Sequence, residues 1–336
     1  MVDLFSIDNE KLNTGMRLLR DALQEKGWSA EVPYVGSVHC FIDRNDERNP
    51  IHIFSATPPT TSFAAAHLAN DKYATYKLIE RIGVRQPETI VITDENDIGA
   101  AIKFLEKFSN VIVKPIDGGH GKGITTNITK TSELKEAISV AIQNTSSKKA
   151  AIAQRMLLGD WHDIRIVCIN YQFVAAICRV AASVVGDGAK SIGELIEFEN
   201  QTKRGKAYFA KYAFIDVEKA KKYLSDRIDV VPMKGEKVKV MDVANYGQGG
   251  ELIDITDDIP DWLKRDSESV ARASELLVCG VDFLANKNVK SDSSKEDVEI
   301  FLIENNKCPS LAIHDKPTVG ISRGVVKKYV DYLETI

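Results

Sequence analysis

Four glycines fall within six residues at Gly118, Gly119, Gly121 and Gly123, between two β-rich runs, Val111–Lys114 and Ile124–Ile128. A hairpin does not need so many. A backbone that must close over phosphate oxygens does, because glycine alone combines the required φ values with such close approach. His120 and Lys122 are interleaved with the glycines. Lys114, placed before the strand-stopping Pro115, sets a fixed positive charge beside the loop. The alternative is a glycine-rich surface hairpin with incidental charges. Spacing excludes two familiar phosphate grips. No G-x-x-x-x-G-K-[ST] occurs, since Gly123 is followed by Ile124, and a G-x-G-x-x-G fingerprint has to open a helix, whereas Ile124-Thr125-Thr126 is β-branched.

The 336 residues are enough for one large or two to three small units. With 44% hydrophobic and 27% charged residues the chain reads as an ordinary soluble globular protein. A formal net charge of −4 gives no general basic field for nucleic acid, and no run approaches a membrane span. The opening Met1–Phe5 lacks a basic-then-apolar leader. The five cysteines are odd in number, scattered and without metal spacing, so the expected setting is a reducing cytoplasm.

Three units are expected, at residues 1–65, 66–150 and 151–336. In the first, Leu12, Met16, Leu19 and Leu23 repeat at helical spacing up to Gly27, and Val35–Ile42 and Ile51–Ser55 read as strands. In the second, a helix Asp71–Gly83 carries Lys72, with Leu78, Ile79 and Ile82 on its buried side. A strand at Thr89–Ile92, a helix through Ile98–Leu105, the glycine-loop hairpin and a helix through Leu134–Ala141 follow. In the third, strands are expected at Ala150–Ala153, Arg165–Ile169, Gln172–Arg179, Val238–Val243 and Val298–Ile303. Helices are expected at Ser191–Phe198, Val217–Leu224, Pro260–Cys279 and Arg323–Leu333.

Several segments carry chemistry. Glu304 and Asn306 end an apolar strand on one side, because strand side chains repeat every two residues. A carboxylate and an amide oxygen so placed are hard donors suited to Mg²⁺, with Asp282 of Gly280-Val281-Asp282 as a third; two polar residues at a strand exit are the plain alternative. Ala151–Gly159 reads as a strand running into a turn between lobes, which suits adenine or is an ordinary link. Arg165 and Arg179, at strand ends, suit bidentate clamping of phosphate or carboxylate, or Arg165 forms a surface ion pair with Asp163. A second glycine-rich turn, Val243–Asp257, holds either an anion or a strand corner. No nucleophilic triad or G-x-S-x-G elbow is present.

Taken in order, these segments resemble the ATP-grasp ligases, and among them the ATP-grasp portions of cyanophycin synthetase and bifunctional glutathione synthetase. The markers are Asn70-Asp71-Lys72 with Gly83-Val84, Val113-Lys114-Pro115 with Gly118–Gly123, Gly186-Asp187-Gly188, Asn245-Tyr246-Gly247-Gln248-Gly249-Gly250 before Asp254-Ile255-Thr256-Asp257, Gly280-Val281-Asp282, Glu304-Asn305-Asn306 with Pro309, and Gly320 with Arg323. The resemblance implies an α/β (α+β) ATP-grasp fold, two lobes gripping ATP behind a small N-terminal α/β unit. By position it gives Lys72 and Lys114, with the loop Gly118, Gly119, His120, Gly121, Lys122 and Gly123, to the triphosphate. Gln154, Arg155 and Leu157 go to adenine and Asp163 to ribose, with Asp160 as the competing choice. Asp282, Glu304 and Asn306 go to two magnesium ions, with manganese as a substitute. Arg165, Arg179, Asn245 and Arg323 go to the reacting phosphate and acyl group. Gln154 departs from the family's usual Glu, and Ser310 from its usual Gly.

The activity so implied is carboxylate–amine ligation through an acyl phosphate, on amino acids or short peptides as acid and amine, without nucleic acid or membrane partners, and with a homodimer by analogy. A kinase on the same grip and a regulatory nucleotide binder are the alternatives. The retained Lys72, Lys114, Asp282, Glu304 and Asn306 disfavour the regulator.

Overall fold

The computed structural model of the chain describes every residue except 47, 95–96, 120, 147–148, 205–213 and 242–248. The N-terminal unit is a four-stranded antiparallel sheet in the order β1-β2-β3-β4, formed by β1 (Val2–Asp3), β2 (Ser29–Val32), β3 (His39–Asp43) and β4 (Ile51–Phe54). One helix covers it, α1 (Thr14–Glu25), where the Asn13 side chain accepts from the Met16 amide and caps the first turn. Strict alternation of buried and exposed residues in β2 and β3 gives the sheet one apolar face. That face does not close on α1 alone: its core is continuous with Val325, Tyr329 and Leu333 near the C-terminus, and with Val167, Ile169, Ala175 and Val278 of the large sheet.

Two helices lead on: α2 (Phe63–Asn70) and α3 (Lys72–Arg81), the latter capped by the Asp71 carboxylate, which accepts from the Tyr73 and Ala74 amides. Ile79 is fully buried on α3, but Ile82, expected on the same side, is 38% exposed because the helix has ended before it. The small lobe is a sheet ordered β5-β8-β6-β7, built from β5 (Thr89–Ile92), β6 (Val111–Pro115), β7 (Thr125–Ile128) and β8 (Ala151–Arg155). Helices α4 (Ile98–Phe108) and α5 (Thr131–Gln143) pack on it through Ala101, Leu105, Leu134 and Ile138. The residue before α4 is Asp97, whose carboxylate takes the Thr93 amide and hydroxyl.

The large sheet runs β13-β10-β9-β14-β15, all antiparallel, from β9 (His162–Ile169), β10 (Gln172–Val180), β13 (Glu251–Asp254), β14 (Val278–Ala285) and β15 (Ile300–Asn306). Asn170 and Tyr171, at φ 52 and 61, form the two-residue turn of the β9–β10 hairpin. A side layer holds β11 (Ser183–Val185), β12 (Lys237–Lys239), α6 (Ile192–Arg204) and α7 (Val217–Leu224). Gly186 belongs there: a Cβ would lie 2.2 Å from the Met233 carbonyl oxygen, so the Gly-Asp-Gly marker meets a backbone that only glycine admits.

Helix α8 (Asp261–Ala273) covers the face of the large sheet that carries Ile164, Ile166 and Cys168. Helices α9 (Ala312–Asp315) and α10 (Val325–Glu334) close the chain on the opposite face. The expected helix Pro260–Cys279 is therefore corrected. It stops at Ala273, Glu275 turns the chain at φ 55, and Cys279 lies in β14, a strand buried on both faces. Such a continuous apolar run carries no period that separates strand from helix.

Candidate functional site

Lys114 is the penultimate residue of β6, 9% exposed, and its ammonium donates to the Gln154 carboxamide oxygen at 2.9 Å across the neighbouring β8. Burial pushes its pKa down to about 8, against the pull of Glu304, and neighbouring Lys72 lowers it further. Lys72 is placed by its backbone: its amide donates to the Ile116 carbonyl at 2.9 Å, pinning the start of α3 to the root of the glycine hairpin. Its ammonium then donates to the Gly118 carbonyl at 2.8 Å. Burial lowers its pKa too, offset by Glu304, Asp117 and Asp71.

The hairpin tip takes its shape from glycine. Gly123 sits at φ +70, and a Cβ there would lie 2.6 Å from Asn144 and 2.9 Å from Pro115. Gly118 and Gly121 also have positive φ, whereas Gly119 does not. Lys122 follows in the same turn, its amide donating to the Gly119 carbonyl at 3.4 Å. His120 lies outside the described residues, as does Asn245, so neither is placed.

Opposite stands β15. Asp282 pairs with Glu304, but Phe283 pairs with Leu302, so β15 carries one extra residue at Ile303. This bulge matters. Ile300 and Leu302 face the α8 core, and the extra residue turns Glu304 and Asn306 to the face of Asp282. The three expected metal residues are thereby brought together: the Asn306 amide nitrogen lies 3.3 Å from Asp282 Oδ2 and 3.5 Å from Glu304 Oε2. Among the described residues no three His, Cys, Asp or Glu side chains gather to hold a metal, so the set needs the Asn306 amide as its third member.

Asp282 is already engaged. Both its oxygens accept from Arg165, with Nη2 to Oδ2 at 2.7 Å, and Arg179 reaches Oδ2 at 3.2 Å. Burial works to raise its pKa, but the two guanidiniums hold it below the usual carboxylate range. Arg179 also grips Asp163 at 2.7 and 3.0 Å. Both arginines thus lie beside Asp282, but the exposed Arg165–Asp163 pair is not formed. β9 begins at His162, which puts Asp163, expected at the ribose, opposite Arg179 in the register and into the ion-pair network. Burial raises its pKa to about 6 despite Arg179. Its competitor Asp160 lies in the exposed turn before β9.

The Arg323 guanidinium is taken up by Asp254 at 2.6–3.0 Å and Asp257 at 2.7 and 3.0 Å, which fastens the segment before α10 to β13. Arg155 points away, toward Glu88, Glu299 and the Phe301 ring, while Leu157 is buried just beyond β8.

Lys72, Lys114, Gln154 and Glu304 line one cleft of about 170 Å³, closed by Tyr76, Thr89, Ile124 and Leu302. Both lobes contribute, so the glycine hairpin and the strand end share one cavity. Tyr76 and Thr89 were not foreseen. Tyr76 had a readable signal, four residues after Lys72 on the same helix face. Thr89 had none: it matters because its hydroxyl accepts from the Gln154 amide at 2.9 Å and fixes which way Gln154 turns.

Comparison with known proteins agrees with this layout. Residues 77–204 match the family described as prokaryotic glutathione synthetase, ATP-grasp domain. Cyanophycin synthetase of Crocosphaera subtropica is 33% identical over 279 residues, 80% of this chain and 31% of that protein. The glutathione biosynthesis bifunctional protein of Pasteurella multocida is 25% identical over 338 residues, 98% of this chain and 43% of its own length. The crystal structure of a bifunctional glutathione synthetase from Pasteurella multocida superposes with a TM-score of 0.68 at 22% identity, over 96% of this chain and 44% of that one. This chain spans less than half the length of these relatives. No helix among the described residues is long and apolar enough to cross a membrane.

Proposed function

The chain belongs to the ATP-grasp superfamily, and on that footing we propose that it is an ATP-dependent carboxylate–amine ligase acting on amino acids or short peptides. One observation carries the reading: buried Lys114 and half-buried Lys72 from the small lobe and Glu304 from the large lobe line a single cleft beside the glycine hairpin. Two lysines side by side, with no carboxylate in direct contact among the described residues, form a seat for a polyanion, and the triphosphate is the polyanion this fold takes.

The hard oxygens of Asp282, Glu304 and Asn306 fit magnesium, or manganese as a substitute; two ions would occupy the set, with Asn306 turning its amide oxygen inward. Bound there, the metal neutralises charge on the phosphates. Lys72, Lys114 and the amides of Gly118–Gly123 would hold the phosphates, and Gln154 would meet the adenine edge with apolar contact from Leu302. The substrate carboxylate oxygen attacks the γ-phosphorus, and the bond to the bridging oxygen breaks, giving an acyl phosphate and ADP. The amine nitrogen then attacks the acyl carbon, inorganic phosphate leaves, and the amine gives up a proton. Arg165 and Arg179 would exchange Asp282 and Asp163 for phosphate oxygens as charge develops. The glycine hairpin would exclude water from the acyl phosphate. We place the protein in the cytoplasm, because its five cysteines are free thiols, with Cys168 and Cys279 opposite each other on adjacent strands and unbridged.

The deciding experiment is incubation with Mg²⁺, ATP and a panel of amino acids. Phosphate release that requires both an acid and an amine supports ligation. Phosphoryl transfer to a stable product without amine would establish a kinase instead.

A further inference from the structure

A second cavity, about 200 Å³, lies between the N-terminal unit and α10, walled by the first turn of α1, by Ser55–Ala56, by Cys308–Ala312 and by Tyr329. It shares no lining residue with the lysine cleft. Its Pro309 wall and Arg165 both lie against Gly280. Pro309 forms part of its wall and packs on Gly280, where a Cβ would lie 3.0 Å from Pro309 and 3.2 Å from Arg165 Nη1.

Two features of the wall ask for an anion. Asn13 caps the Met16 amide, but the Thr14 and Gly15 amides have no acceptor within the helix, and Gly15 borders the cavity. The end of a 12-residue helix also carries partial positive charge. Independently, Tyr329 is 1% exposed, yet its hydroxyl has no hydrogen-bond partner among the described residues. A buried donor left without a partner costs free energy comparable to a lost hydrogen bond, so this one marks where a ligand oxygen belongs. No charged side chain borders the cavity, and Met16, Leu19, Leu311 and Val326 give it apolar sides.

The geometry points to this cavity as the seat of the non-reacting carboxylate of a small amino-acid substrate, held by the first-turn amides of α1 and the Tyr329 hydroxyl, with its short aliphatic part against the apolar walls. The word substrate rests on the ligase reading; the carboxylate seat does not.

The test is calorimetric titration of the whole protein with propionate, L-alanine and propionamide as probes. The wild type is compared with Tyr329→Phe, which removes one oxygen, and Ala312→Leu, which fills the cavity; thermal unfolding checks that both variants fold. Propionate and alanine should bind and propionamide should not. Tyr329→Phe should weaken carboxylate binding about tenfold, the usual weight of a hydrogen bond to a charged group, and leave ATP affinity alone. In turnover, the same variant should raise KM for the amino acid far more than it lowers kcat. Carboxylates that fail to bind the wild type, or that bind folded Tyr329→Phe equally well, overturn the seat. Carboxylate binding without any ATP-driven ligation would sink the ligase reading and leave the seat standing. Ligation with an unchanged KM in Tyr329→Phe would do the reverse.

Discussion

Lys114 donates to Gln154, and Gln154 donates to Thr89, each at 2.9 Å, so a neutral amide is the only side chain that directly meets the buried ammonium among the described residues. Nothing in contact offsets the desolvation, and the pKa of Lys114 falls to about 8. A carboxylate at position 154 would remove that depression.

Gln154→Glu should therefore lift the Lys114 pKa and carry the alkaline limb of ATP affinity upward by at least about one pH unit. ATP affinity measured across the alkaline range tests this directly. An unmoved limb would show that Lys114 does not set it.

The same shift fixes two signs. Between about 8 and its ordinary 10.5, Lys114 holds fewer protons in the fold than in the unfolded chain, so its contribution makes folding more favourable as pH rises through that window. ATP binding runs the other way, because phosphate favours the charged ammonium. Binding above pH 8 should take up a proton and weaken as pH climbs. Calorimetry in two buffers of different ionisation enthalpy reads the proton count, and Lys114→Ala should abolish the uptake and weaken ATP roughly tenfold or more.

Glu304→Ala should cut Mg-ATP turnover roughly a hundredfold or more while leaving the fold intact, since the residue sits at the strand end in the cleft wall. Wild-type turnover in that variant would remove Glu304 from the metal set.

Arg165→Ala strips the bidentate partner from buried Asp282 and leaves Arg179 as its remaining cation. The expected loss is about 3 kcal/mol in chemical denaturation, most of it recovered when Asp282→Ala is added, because the cost is that of an uncompensated buried charge. A single variant as stable as the wild type would mean that the network is idle in the fold.

Much of this was readable in advance, for definable reasons. The Gly118–Gly123 hairpin announced itself because its glycines have few other uses, and the two-residue side-chain repeat placed Glu304 beside Asn306. The repeat could not show that a bulge at Ile303 turns both to meet Asp282, since a bulge belongs to the pairing of two strands. Partner choice among charges was also hidden. Asp163 and Arg165 are two apart in sequence, yet each pairs across the sheet, with Arg179 and Asp282. β1, of two residues, is too short to show a pattern, and Tyr329 became visible as a lining residue only once α10 was laid against α1.

That last placement bears on how the chain is made. Residues Leu4 to Ala56 are synthesised well before Val325, Tyr329 and Leu333, which complete their interior. During synthesis this sheet must wait, its apolar face uncovered, until α10 has been made. This segment is thus a natural client for a chaperone, and its final burial reports that translation has passed α10.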